Sequence, residues 1–405
     1  MRISTQSFFE QNLTAMNSQQ QKLFQVQQQI SAGTKLLTSA DDPLAVARAL
    51  GVSESIAKTA QYASNRGSVL QSLSMEEGAL QSATSTLQDI KTLTVQASSG
   101  TLSDADRAAL ATSLQSHLDQ LVAVANSDNG NGQFLFAGYK SANPPFAQQA
   151  GGSVQYVGDQ GQLLKQVDIS RQMAATDDGR SVFQSVQAGA GYVSASSIGN
   201  TGSGVFGPTA VVNAADANYG KDFVISFTSP PLSYQVLSNG AALVPAVNGT
   251  YTAGGPIRFG GLQINISGAP AAGDTFKIAT AKNAGTDVFE AISDLVNALR
   301  KPLTGGGAAA QAQLSNALNT ASSKLTNAQD NVLTIRASVG SRMLELDALN
   351  TSGASRDLID KSYLSELQDL DYSKAISEFS QRETSLKATL QTFAKLNSIA
   401  LFNYL

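Results

Sequence analysis

The run Leu73-Ser74-Met75-Glu76-Glu77-Gly78-Ala79-Leu80-Gln81-Ser82-Ala83-Thr84-Ser85-Thr86-Leu87-Gln88-Asp89-Ile90 decides the fold. Leucine recurs every seven residues at 73, 80 and 87, with Ala83, Ile90 and Ala97 between, and the rest is polar. A stripe this narrow on a polar helix cannot be buried by the helix alone and requires a partner helix. Going backward, nothing breaks the helix until Pro43, where Asp42 can cap it and proline occupies the one helical position that needs no amide hydrogen. Unbroken from Pro43 to Ser98, it would be roughly 80 Å long at 1.5 Å per residue.

Working outward, other stretches show the same signature. Met16, Leu23, Ile30 and Leu37 keep seven-residue spacing, with Leu13 and Val26 between and Gly33 as a C-cap. Beyond Gly100 the spacing predicts a helix capped by Ser103, with Leu110, Leu114, Leu118 and Leu121 on one face. Near the C-terminus Leu325, Val332, Val339 and Leu346 form a series with Ala328, Ile335 and Leu349. After a break at Thr351-Ser352-Gly353, a last helix carries Tyr372, Phe379, Leu386, Phe393 and Ala400, with Ile376 and Leu390 interleaved.

Helix breakers gather in the middle: eight of the ten prolines lie between Pro144 and Pro270, and 21 of the 34 glycines between Gly151 and Gly285. There Phe223–Phe227, Ile257–Phe259, Leu262–Ile266 and Phe276–Ile278 are short β-branched or aromatic runs, which reads as a small sandwich or barrel. The expected fold is therefore α+β: a long helical coiled-coil rod formed by both chain ends, with an all-β domain inserted between them. Three domains are expected: a terminal coiled coil of 1–40 with 368–405, disordered until assembly; a helical rod of 41–142 with 286–367; and an outer β-rich domain of 143–285.

Composition narrows the chemistry. With 27 Lys plus Arg against 31 Asp plus Glu, the net charge of −4 is mild and evenly spread, which argues against nucleic acid and anionic lipid as partners. No segment has the length and apolarity of a transmembrane helix, and Met1–Glu10 lacks a secretory apolar run, so no membrane insertion is expected. The absence of cysteine removes disulfides and thiolate sites, and His117 is the single histidine. His117 lies among Leu114, Leu118 and Leu121 without a second ligand or a nucleophile motif, and reads as structural. Gly202-Ser203-Gly204-Val205-Phe206-Gly207 fits the GxGxxG string, but Asn200-Thr201 before it and Pro208 after it make it a loop rather than a dinucleotide turn. Asp128-Asn129-Gly130-Asn131-Gly132 lacks the alternating ligands of a calcium loop and reads as a helix-to-strand turn. Asp41-Asp42 reads as capping rather than a catalytic carboxylate pair. No cofactor and no enzymatic activity are expected.

Several stretches resemble the flagellin superfamily over nearly the whole chain, and within it the hook–filament junction branch. Gln29-Ile30-Ser31-Ala32-Gly33-Thr34-Lys35 with Ser39-Ala40-Asp41-Asp42-Pro43 is similar to the N-terminal signature of flagellins. Leu102–Arg107, Ile335–Arg342 and Asp369–Ala375 are similar to the start of their third helix, their "R-A-x-x-G" helix and the beginning of their terminal helix. Met1–Thr5, Phe134–Tyr139 leading to Pro144-Pro145-Phe146, the aromatic ending Ser398–Leu405 and the Asp-Asp-Pro variant lean toward the junction branch; in the middle only Tyr156-Val157-Gly158-Asp159 matches. The resemblance implies an extracellular structural subunit of the bacterial flagellum, exported unfolded through the flagellar type III apparatus without a cleaved signal. It implies as partners hook-associated protein 1, flagellin, further copies of the chain and an export chaperone on the C-terminal helix. A filament-forming flagellin is the alternative. The expected assembly interface is Leu13, Met16, Leu23, Val26 and Ile30 on the first helix, and Ile376, Phe379, Leu386, Leu390, Phe393, Leu401 and Phe402 on the last.

Overall fold

The computed structural model describes residues 5–149, 152–229 and 232–402. In chain order the helices are α1 (Thr5–Ala32), α2 (Pro43–Ala97), α3 (Asp104–Ala125), α4 (Gly179–Phe183), α5 (Val288–Arg300), α6 (Gly307–Gln368) and α7 (Tyr372–Phe402). Between α3 and α5 lie the strands β1 (Phe146–Gln148), β2 (Val154–Tyr156), β3 (Leu164–Asp168), β4 (Arg171–Ala174), β5 (Tyr192–Ser196), β6 (Val205–Phe206) and β7 (Ala210–Val211). They continue with β8 (Phe223–Thr228), β9 (Ser233–Ser238), β10 (Ala241–Thr250), β11 (Pro256–Phe259), β12 (Leu262–Ser267) and β13 (Thr275–Thr280). The architecture is the expected one: long helices from both ends and a β insertion. Two compact units result, one of residues 1–64 and 348–405, the other of residues 65–347.

The punctuation works as the sequence requires. Asp42 accepts hydrogen bonds from the Leu44 and Ala45 amides at 3.1 and 2.9 Å, which caps α2 with Pro43 at its first position. Ser103 and Asp106 form a reciprocal capping box on α3. Gly33 closes α1 at φ +71°, with its N–H on Gln29 O at 2.8 Å. One expectation fails: α6 runs through Thr351-Ser352-Gly353 without a break, for 62 residues. A single glycine inside a helix costs only about 1 kcal/mol relative to alanine, and helical sequence on both sides outweighs it. The chain turns instead at Asp369-Leu370-Asp371, where Asp371 accepts from the Lys374 amide at 3.1 Å and caps α7.

In the second unit the heptad stripes are the core. Leu73, Leu80, Ala83, Leu87 and Ile90 of α2 and Leu325, Val332, Val339 and Leu346 of α6 are all fully buried. Lys91 donates to Gln329 at 2.9 Å and Arg336 to Glu77 at 3.0 Å across the two helices. Helix α5, which the sequence reading did not separate from α6, is started by Asp287 and packs on α3.

The insertion is a sandwich. A five-stranded sheet of order β10-β9-β8-β13-β5 faces a four-stranded one in which β12 joins β11, β6 and β7. Alternate residues meet between them: Phe223, Ile225 and Phe227 of β8 against Leu262, Ile264 and Ile266 of β12. The Gly202–Gly207 string crosses into β6 with no helix after it. The far edge of β6 is covered by α6: Asn316 accepts from the Phe206 amide at 3.1 Å and donates to Gly204 O at 2.9 Å, and Asn319 donates to Phe206 O at 2.9 Å. Amide side chains on a helix here play the part of a missing neighbour strand.

Two stretches singled out in the sequence meet. Asp159 N–H donates to Ala137 O at 3.2 Å, and its carboxylate accepts from the Tyr139 amide at 2.9 Å. Gly138 (φ +66°) lies so close that an added Cβ would collide with the Asp159 carbonyl oxygen, so only glycine fits. Phe136, Phe146, Phe183 and Phe289 pack behind this turn with ring centroids 5.0–5.7 Å apart.

Candidate assembly site

The first unit buries few apolar side chains of its own and leaves large ones on both chain ends uncovered. Helix α1 packs against α7. The turns that bound them are joined: the Lys35 amide donates to Gln368 O at 2.8 Å and the Leu370 amide to Gly33 O at 3.1 Å. Gln25 donates to Asp41 at 2.9 Å, while Asp41 also accepts from the Leu37 and Thr38 amides at 3.0 and 2.7 Å. Those bonds, the Thr38 amide first, hold the Asp41 carboxyl below its ordinary value. Asp41 and Asp42 therefore serve as turn and cap acceptors. Ser55 of α2 donates to Asp360 of α6 at 2.8 Å within the same unit.

The predicted interface residues divide into three groups. Val26 is buried, and Leu13, Met16, Leu23, Ile30, Phe379, Leu386 and Phe393 are half-buried. Ile376 and Leu390 stand 54% and 42% exposed, on the side of α7 turned to solvent. Leu401 and Phe402 fall within α7, but their side chains lie outside the described ones. In this unit Val26, Ala49 and Ala375 are the buried apolar residues among those described, in contrast to the filled seams of the second unit.

Sequence reasoning missed a set of apolar residues that are exposed here: Phe24 (61%), Leu44, Leu50 (71%), Leu358 and Ile359. They lie off the main heptad lines, so a search for one stripe passes over them. Their signal is the opposite one, large apolar residues on the polar side of a long helix. Together with Ile376 and Leu390 they give one unit a large share of uncovered apolar side chains, which marks surfaces that pack against other molecules.

Nothing in the described residues groups three or more His, Cys, Asp or Glu side chains as a metal site would. His117 is half-buried on α3. Asp128-Asn129-Gly130-Asn131-Gly132 is a turn, in which the Gly130 amide donates to Asp128 and that of Asn131 to Asn129, each at 3.0 Å.

Helices from both chain ends paired with each other, around a β insertion, define the flagellin type of structural subunit. The family of the bacterial flagellin N-terminal helical region matches residues 3–141. Flagellar hook-associated protein 3 of Salmonella typhimurium is 29% identical over 402 residues, spanning 99% of both chains. The crystal structure of Xanthomonas campestris FlgL superposes with a TM-score of 0.68 at 30% identity, covering 78% of this chain and 99% of that one. The flagellar junction protein FlgL from Legionella pneumophila gives 0.67 at 26% identity, covering 80% and 100%. The chain belongs to the flagellar hook-associated protein 3 family, the hook–filament junction branch of the flagellins.

Proposed function

We propose that this chain is a non-enzymatic adaptor that joins the hook to the flagellin filament by helix packing of its two ends. The observation that carries the proposal is the incomplete burial of the first unit. Its seam residues are half-covered within one chain, and Phe24, Leu50, Leu358 and Ile376 point to solvent. On addition to a growing structure, neighbouring subunits would cover these faces, each buried apolar square ångström contributing about 25 cal/mol. In this reading residues 1–40 with 368–405 form the inner coiled coil, residues 41–142 with 286–367 the helical rod, and 143–285 the outward domain. Hook-associated protein 1 lies below the subunit, flagellin above and further copies beside it. Before assembly an export chaperone would shield the apolar side of α7, and the chain would reach the junction through the flagellar type III apparatus.

Matching a hook-associated relative over 99% of both chains favours this role over that of a filament flagellin. The direct test is deletion of residues 385–405. The truncated chain is expected to keep a folded β sandwich, because no sandwich core residue comes from α7, and to leave cells with hooks, no filaments and flagellin in the medium. Restored motility by the truncated chain would refute the packing mechanism. Filaments that persist in a strain lacking the whole gene would refute the junction role.

A further inference from the structure

We propose that the second unit contains a binding site for a small anionic amphiphile, in the cavity between strands β5 and β13, helix α5 and the start of α6. This site is separate from the helix-packing surfaces. The cavity has a volume of about 570 Å³, inside the roughly 300–1,000 Å³ that small-molecule sites occupy.

Its existence follows from residue size. The inner face of the five-stranded sheet is used by the sandwich core, and its outer face at β5 and β13 presents Val193, Ala195 and Ala279 to the helices. From the helices, Ala291 and Ala298 of α5 and Ala310, Ala317 and Ala321 of α6 face the same space. Two helices with alanine faces can approach closely when nothing keeps them apart. Here α5 is held against α3, and α6 is held to the lobe by Asn316, Asn319 and by Thr320, whose hydroxyl donates to Ser194 O at 2.8 Å. The small side chains therefore leave open space, floored by the buried Leu295 and Leu314.

The charge around this apolar space is one-sided. Lys277, Lys301 and Lys324 line it against a single carboxylate, Asp294, in a chain whose net charge is −4. Lys277 and Lys301 make no ion pair among the described residues. Lys324 lies over Gly285 (φ +85°), where an added Cβ would meet its ammonium at 3.2 Å. Burial and the neighbouring Glu290 raise the Asp294 carboxyl, with Lys324 acting the other way, and the exposed Lys277 and Lys301 are the ammonium groups open to a ligand. An apolar body in the alanine-lined space with a carboxylate, sulfate or phosphate head at Lys277 and Lys301 satisfies both halves of the site.

The test is calorimetric titration of the full chain with sodium dodecanoate below its micelle concentration, with dodecylammonium as the opposite-charge control. The expected result is saturable binding of one dodecanoate per chain and at least about tenfold weaker binding of the cation. Ala317→Leu, which fills the space, and Lys301→Glu, on the exposed rim, should each weaken dodecanoate by about tenfold or more while the circular dichroism stays that of the natural chain. The proposal is overturned if dodecanoate does not saturate, or if the folded Lys301→Glu chain binds it unchanged. It is equally overturned if deletion of residues 385–405 removes the binding, which would place the ligand on the terminal helices.

Discussion

Replacing Asn316 by leucine tests whether a helix can stand in for a strand. The Asn316 side chain is 2% exposed, and its two hydrogen bonds satisfy the Phe206 N–H and the Gly204 carbonyl. Leucine is close in size and more apolar, so the change isolates the loss of polar pairing. Each buried backbone group left without a partner costs about 1–3 kcal/mol, and the apolar gain of leucine returns part of it, which puts the net loss at about 3 kcal/mol. At Asn319 the single bond goes to Phe206 O from an exposed side chain. Water replaces it there, and Asn319→Leu should cost under about 1 kcal/mol. The assay is native-state hydrogen exchange at the Phe206 amide together with chemical denaturation of the full chain. A local loss of about 3 kcal/mol accelerates exchange about 150-fold. Equal effects of the two substitutions, or an unchanged Phe206 amide in Asn316→Leu, would refute the reasoning.

The charges and the exposed faces lead to two more expected outcomes. Glu76 is fully buried, and burial first, then the nearby Asp177 charge, raises its carboxyl well above the ordinary value, against the pull of Arg342. Because the unfolded chain releases this proton at lower pH than the folded one, stability contributed by the neutral acid is present below pH about 4.5 and is lost as pH rises toward the folded value. The Glu76→Gln chain should therefore gain in denaturation midpoint over the natural chain as pH rises, and a constant difference between the two would contradict this. Ile376→Asp with Leu390→Asp changes side chains already in solvent, so thermal stability should stay within about 0.5 kcal/mol while assembly onto hooks is lost, as read by electron microscopy and motility.

The legible part of this fold was its periodicity. Leu73, Leu80 and Leu87, and their counterparts Leu325, Val332 and Leu346, announce a shared seam because burial demands seven-residue spacing on paired helices, and all six are fully buried. Phe223, Ile225 and Phe227 announce a strand by alternation in the same way. Weak breakers were misread: Gly353 carries a local penalty too small to end a helix of 62 residues. Long-range pairings of side chain with backbone, such as Asn316 with Phe206 at a separation of 110 residues, leave no local pattern. In the first unit the residues Leu13, Val26, Phe379 and Phe393, which are buried or half-buried there, follow from the helical spacing. Phe24, Leu50 and Leu358 do not, since what distinguishes them is their exposure, which spacing does not reveal.

The bonded turns at Gly33–Lys35 and Gln368–Leu370 bring an early-made helix and one made much later into mutual dependence. Helix α1 obtains its partner only after α7, more than 300 residues later, has been made. A subunit that loses α7 to early termination or proteolysis thus presents an unmatched first helix, without the pair on which the proposed packing depends. Under the packing proposed above, an intact pair of ends would itself be a condition of incorporation, set by geometry without any separate inspector.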